Sequence, residues 1–242
     1  MSRTYSRRAM MASAATFLAS PALAISIRDR LPWAPAAGNP PPRVGPGPWV
    51  YFTPEEGALV EALVERLIPP DPDTPGGKDA GCAIFIDRQL AGRYGQSAGL
   101  FMMPPFHEGT PEQGPQSAAT PAQRYRQSLA ALADHVRKSF AGKAMRDLTP
   151  EQQDSLIEGL SRGRILGAAE GRSFFSLLIQ NTKEGFFADP TYGGNVDMVG
   201  WRMIGFPGAR YDYRDWVERH NERYPHPPVG ISGRPAWQNG KS

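Results

Sequence analysis

The chain has 242 residues, with 27 Lys+Arg against 24 Asp+Glu, 26 Gly, 25 Pro and one Cys. That length suits one large domain or two small ones, and an apolar content of 40% with 10% aromatics is too rich for a disordered chain. A single Cys excludes a Cys-ligated iron–sulfur cluster, a Cys-rich zinc site, a CxxCH haem attachment and any intrachain disulfide.

Residues 1–24 carry Arg3, Arg7 and Arg8 and no acid, then a short Ala-rich apolar stretch, then Ala22-Leu23-Ala24. A charged start, a short apolar run and an A-x-A site form an export signal. The stretch is too short and too rich in Ala and Ser to span a bilayer. Ser6-Arg7-Arg8-Ala9-Met10-Met11 resembles a twin-arginine signal, the route that exports folded proteins; an ordinary Sec signal with adjacent arginines is the alternative. Cleavage after Ala24 removes three positives and leaves 24 basic residues against 24 acidic. The formal charge of +3 therefore belongs to the address, and no nucleic-acid partner is expected.

Residues 25–49 hold seven prolines and read as a Pro-rich extended linker. Thr53-Pro54-Glu55-Glu56 then opens a helix: Thr53 caps, Pro54 suits the first position and Glu56 closes a capping box. Leu59, Val60, Leu63, Val64 and Leu67 form its apolar stripe, and Pro69-Pro70 ends it. The opening recurs at Thr120-Pro121-Ala122-Gln123, before a helix to about Phe140, and at Thr149-Pro150-Glu151-Gln152, before one to Leu160. Further helices are expected at 80–90, 171–187, 195–204 and, briefly, 212–220. No stretch has the alternation and β-branched content of a strand. Long loops fall at 71–77, 103–117, 188–195 and 205–211, and residues 226–242 read as an extended tail. The fold class is all-α: one irregular helical domain over 50–225, with long Pro/Gly-rich loops and extended termini.

No GxGxxG, Walker A loop, HExxH or GxSxG is present. The four His (107, 135, 220, 226) are scattered; Asp71 and Asp73 lack the remaining ligands of a calcium loop and read as turn residues. No catalytic, cofactor-binding or metal residue is assigned. For Cys82 two readings stand: a buried thiol at the start of an apolar helix, or an intermolecular disulfide in an oxidising compartment. Residues 174–224 hold 11 of the 24 aromatics. Some belong to a core, and the aromatics and arginines on loops have the composition of interface hot spots. Trp201, Phe206, Arg210, Tyr211, Tyr213 and Trp216 are the candidate interface residues; stacking on a sugar is the other use of such a surface. Asn195 is expected to cap the helix after the Gly193-Gly194 turn.

Several runs together resemble the gluconate 2-dehydrogenase subunit 3 family. They are Tyr51-Phe52-Thr53-Pro54-Glu55-Glu56, Gly77-Lys78-Asp79-Ala80-Gly81 with Ile86-Asp87-Arg88-Gln89-Leu90, Glu184-Gly185-Phe186-Phe187-Ala188-Asp189-Pro190-Thr191-Tyr192-Gly193-Gly194-Asn195, Gly200-Trp201 and Gly205-Phe206-Pro207-Gly208-Ala209. The resemblance spans about residues 50–228. It implies a cofactor-free small subunit of membrane-associated sugar, sugar-acid or polyol dehydrogenases. The implied partner is a large FAD-bearing subunit of the glucose–methanol–choline type, often with a multihaem cytochrome c subunit. The small subunit would assist maturation of the large one and carry it through the twin-arginine translocon to the periplasm. Cys82 lies outside the family pattern. The competing expectation is a stand-alone exported carbohydrate-binding or hydrolytic protein that uses the aromatic and acidic region 201–222.

Overall fold

The computed structural model describes residues 44–232 except 46, 101, 108, 111, 112, 114–116, 211 and 212. The signal residues Arg7, Arg8, Ala22 and Ala24, most of the linker and the last ten residues lie outside the described residues. Six α-helices run in chain order: α1 Pro54–Leu67, α2 Cys82–Ala91, α3 Pro121–Ser139, α4 Pro150–Ser161, α5 Ala168–Phe187 and α6 Val199–Ile204. Short 3₁₀ turns occupy Met145–Asp147, Pro190–Tyr192, Val196–Met198 and Arg214–Trp216. Among the described residues there is no strand; one isolated parallel bridge joins Gly208 to Val229.

The helix starts follow directly from local chemistry. Thr53, Thr120 and Thr149 each accept the backbone N–H three residues on, while Glu56, Gln123 and Gln152 reach back to the cap backbone. Each box satisfies two N–H groups that a helix start otherwise leaves unpaired. The α5 helix is central and packs against α1, α2, α3, α4 and α6. Around it lie Val60, Leu63 and Val64 of α1, Ile86 and Leu90 of α2, Leu129 and Leu132 of α3, and Leu160 of α4, all buried. Within α5 itself Phe174, Leu178 and Phe186 face inward. Tyr125 is fully buried and meets Phe174 edge-on at 5.5 Å.

Two polar clusters fix how these helices meet. Asp87 is fully buried on α2, and its carboxylate accepts the N–H groups of Val50, Tyr51 and Phe52, each at 2.9 Å, as well as the Arg88 guanidinium. Arg88 also donates to the Pro48 carbonyl, so the segment entering α1 is clamped to α2. The second cluster surrounds Asn181 of α5. Its Oδ1 accepts from Tyr125 at 3.1 Å, and its Nδ2 donates to Tyr94 at 3.0 Å and Glu184 at 2.9 Å. Burial and these neighbours push the Tyr125 phenol well above its ordinary pKa.

Two expectations change. The helix foreseen at 195–204 breaks into a 3₁₀ turn and α6, because Asn195, Asp197 and Met198 have φ of 49°, 54° and 57°. Of the 212–220 helix only Arg214–Trp216 is helical among the described residues; its rings gather on Tyr224 instead of forming a helical stripe. The described part of the tail runs back across the fold. Ala209 N–H donates to Val229 O at 2.6 Å, Ile231 N–H to Asp189 Oδ2 at 2.6 Å, and Val229 is buried.

Candidate partner-facing surface

The last turn of α5 leaves carbonyls without helical partners, and the residues after it supply the donors. Trp201 Nε1 donates to Phe187 O at 2.8 Å. Asn195 Nδ2 donates to Ala188 O at 2.8 Å, while its Oδ1 accepts the Gly200 N–H at 2.8 Å. Asn195 therefore ties the end of α5 to the first turn of α6, a cap that reaches across a 3₁₀ turn. Two glycines allow this approach. A Cβ on Gly194 would lie 2.1 Å from Gly185 O, and one on Gly200 would lie 2.2 Å from Phe186 O. The run of motif residues from Glu184 to Gly208 thus builds one knot around the end of α5.

The knot has an outer face. Eight of the twelve large hydrophobic side chains exposed among the described residues lie between 187 and 217. Met203 is 51% exposed and Ile204 59%, one helical turn beyond Gly200, whose backbone the Phe187 ring approaches. Phe206 is also exposed and meets Trp201 edge-on at 5.2 Å. Tyr192 and Val196 stand exposed on the turn between α5 and α6. Scattered single exposures need no explanation; a concentration of this kind in one stretch of chain makes it the candidate partner-facing surface.

The candidate interface residues separate accordingly. Trp201 is 6% exposed and serves the chain's own packing through its bond to Phe187, instead of standing free on the surface. Phe206 and Tyr213 are exposed. Tyr224 collects Tyr213 at 5.8 Å, Trp216 at 5.1 Å and His226 at 5.4 Å. Arg210 lies 5.3 Å over the Tyr224 ring and donates to Pro227 O at 2.6 Å, and Arg219 lies 4.7 Å over Trp216. These contacts make Arg210 and Trp216 half-buried braces of the tail. Tyr211 lies outside the described residues. Sequence reasoning missed Phe187, Met203 and Ile204. The signal was partial: with Trp201 turned inward, Met203 falls on the opposite side of α6, whereas Ile204 is exposed because it is the last residue of α6, next to Gly205 at φ 71°.

Cys82 is fully buried, and burial pushes its thiol up to about 12. A sulfur enclosed in this way cannot meet another chain while α2 is intact, which corrects the intermolecular reading. Asp71 closes its own loop, accepting the N–H groups of Asp73 at 2.8 Å and Thr74 at 2.7 Å. Among the described residues no three His, Cys, Asp or Glu side chains gather as metal ligands, and no helix is long and apolar enough to cross a membrane.

The class defined by this architecture is an all-α domain whose glycine-rich knot closes the end of its central helix and carries an exposed apolar face. The family model described as gluconate 2-dehydrogenase subunit 3 matches residues 54–208, and the chain belongs to that family. Comparison with curated proteins and with solved structures finds no significant match. The family is one of subunits of dehydrogenases, so association with further subunits goes with membership.

Proposed function

We propose that this chain is the non-catalytic small subunit of a membrane-associated FAD-dependent dehydrogenase. The partner is a large flavoprotein of the glucose–methanol–choline type that acts on a sugar, sugar acid or polyol. The small subunit assists folding of that flavoprotein and takes it to the periplasm by the twin-arginine route. In this reading the flavin, and haem c where a cytochrome subunit joins, belong to the partners. The observation that carries the proposal is the concentration of exposed apolar side chains on the knot built from the family's motif residues. An apolar face of that kind is stable in a chain that spends its life against another subunit.

The test is co-expression of the large subunit with and without this chain, followed by assay of flavin-loaded, dye-reducing activity in the periplasm. Activity is expected only in the presence of the small subunit. Met203→Asp with Ile204→Asp, both on exposed positions, should leave the small subunit folded and abolish co-purification. Equal exported activity without the chain would overturn the proposal.

A further inference from the structure

A separate feature lies away from the knot. A groove of about 360 Å³ runs between the start of α1, the outer face of α3 and the loop at 142–146. Its floor is already dry core: Leu59, Leu129, Val136 and Met145 are buried. Ala130 and Ala133 keep the α3 wall low. The walls are held independently of any occupant. Arg126 of α3 binds Glu56 of α1 and donates to Tyr51 O at 2.8 Å, and Gln153 Nε2 donates to Met145 O at 2.9 Å.

The two ends of the groove differ in charge. The Arg126–Glu56 contact places the start of α1, with Glu55 and Glu56, beside the 129–130 end. The Gly142 N–H donates to Arg137 O at 2.8 Å, which ties the loop carrying Arg146 to the C-terminal end of α3, and Arg137 and Arg146 both line the groove. Glu56 is engaged by Arg126 and by the Thr53 N–H. By contrast, Arg137 and Arg146 are exposed, and their carboxylate neighbours, Asp134 and Asp147, stand at 3.7 and 3.8 Å. Asp134 is held more closely by Lys138, at 2.6 Å. Two loosely engaged arginines thus line a trough that follows α3 from 129 to 137, about 12 Å at the helical rise.

We propose that this groove binds a single-chain carboxylate amphiphile, of the class of medium-chain fatty acids, with its tail along α3 and its carboxylate at the Arg137–Arg146 end. The buried floor takes the tail, the guanidiniums take the head, and Glu55 at the opposite end disfavours the reversed orientation. A volume near 360 Å³ falls within the usual range of ligand pockets.

Calorimetric titration of the purified full-length chain with decanoate, below its micelle-forming range, tests this directly. Saturable binding at one site per chain is expected, and decanol should bind at least tenfold more weakly because it offers the guanidiniums no charge. Ala133→Trp fills the trough and should abolish binding; Ala130→Trp, on an exposed position, does the same should the first variant fail to fold. Arg137→Gln with Arg146→Gln should reduce decanoate to the level of decanol and leave decanol unchanged. Absence of saturable binding, equal affinity for acid and alcohol, or binding that survives a folded Trp variant would each overturn the assignment. None of these readouts involves the flavoprotein, so the result stands apart from the proposed subunit role.

Discussion

The Asp87 clamp gives the sharpest test of how this fold is held. Replacing Asp87 with Ala leaves the N–H groups of Val50, Tyr51 and Phe52 without their acceptor and the Arg88 guanidinium without its carboxylate. A hydrogen bond to a charged group contributes about 1.5–3 kcal/mol, and removing one partner from a buried pair costs about 3–5 kcal/mol. The bonds act as one cluster and are not additive, so about 3–5 kcal/mol is the expected loss for Asp87→Ala. Against a typical domain stability of about 5–15 kcal/mol that is a large fraction. At about 2–4 °C per kcal/mol it corresponds to a fall in Tm of roughly 6–20 °C. Asp87→Asn keeps one oxygen for Tyr51 and Phe52 but turns an amide NH₂ toward the Val50 N–H and Arg88, so a smaller loss of about 2–3 kcal/mol is expected. Urea denaturation followed by tryptophan fluorescence reads both, with Trp49 beside the clamp as a local reporter. A loss below about 1 kcal/mol for Asp87→Ala, or an unchanged Asp87→Asn, would refute the claim that this carboxylate holds the entry to α1.

Three further outcomes follow from the geometry. Gly194→Ala places a Cβ 2.1 Å from a backbone oxygen that cannot yield, and should cost about 2–3 kcal/mol; Gly45→Ala, with open space around the new carbon, should stay within about 0.5 kcal/mol in the same denaturation series. The Cys82 thiol should resist a thiol-specific reagent in the native chain at pH 8 and react fully in denaturant, since burial both encloses it and pushes it up to about 12; rapid native labelling would contradict the placement. Arg66 grips Asp154 with two bonds, of 2.8 and 2.6 Å, and that hydrogen bonding lowers the Asp154 pKa. The pair's contribution should therefore be complete above the ordinary carboxylate pKa and lost as pH falls through the lowered folded value. Acid titrations of the parent and Asp154→Asn should converge there, and a difference between them that grows toward low pH would contradict the sign.

Much of this molecule was legible from local rules. The three Thr-Pro openings each become a capping box, because the groups that satisfy a helix start lie within three residues of it. The stripe on 54–67 and the absence of strand alternation were equally local, and the all-α class rests on them. Arg3, Arg7 and Arg8, within residues 1–24, account for the excess charge, and the motif runs carry the family. The tertiary structure decided which aromatics face out. Trp201 turns inward because α5 ends with an unpaired carbonyl at hydrogen-bond reach, and that choice turns Met203, on the opposite side of α6, outward. Cys82 is enclosed because α2 packs on α1 and α5, contacts that no spacing in the chain announces. Sequence determines what each segment can satisfy by itself; burial depends on which distant segment arrives to cover it, and only the folded chain fixes that.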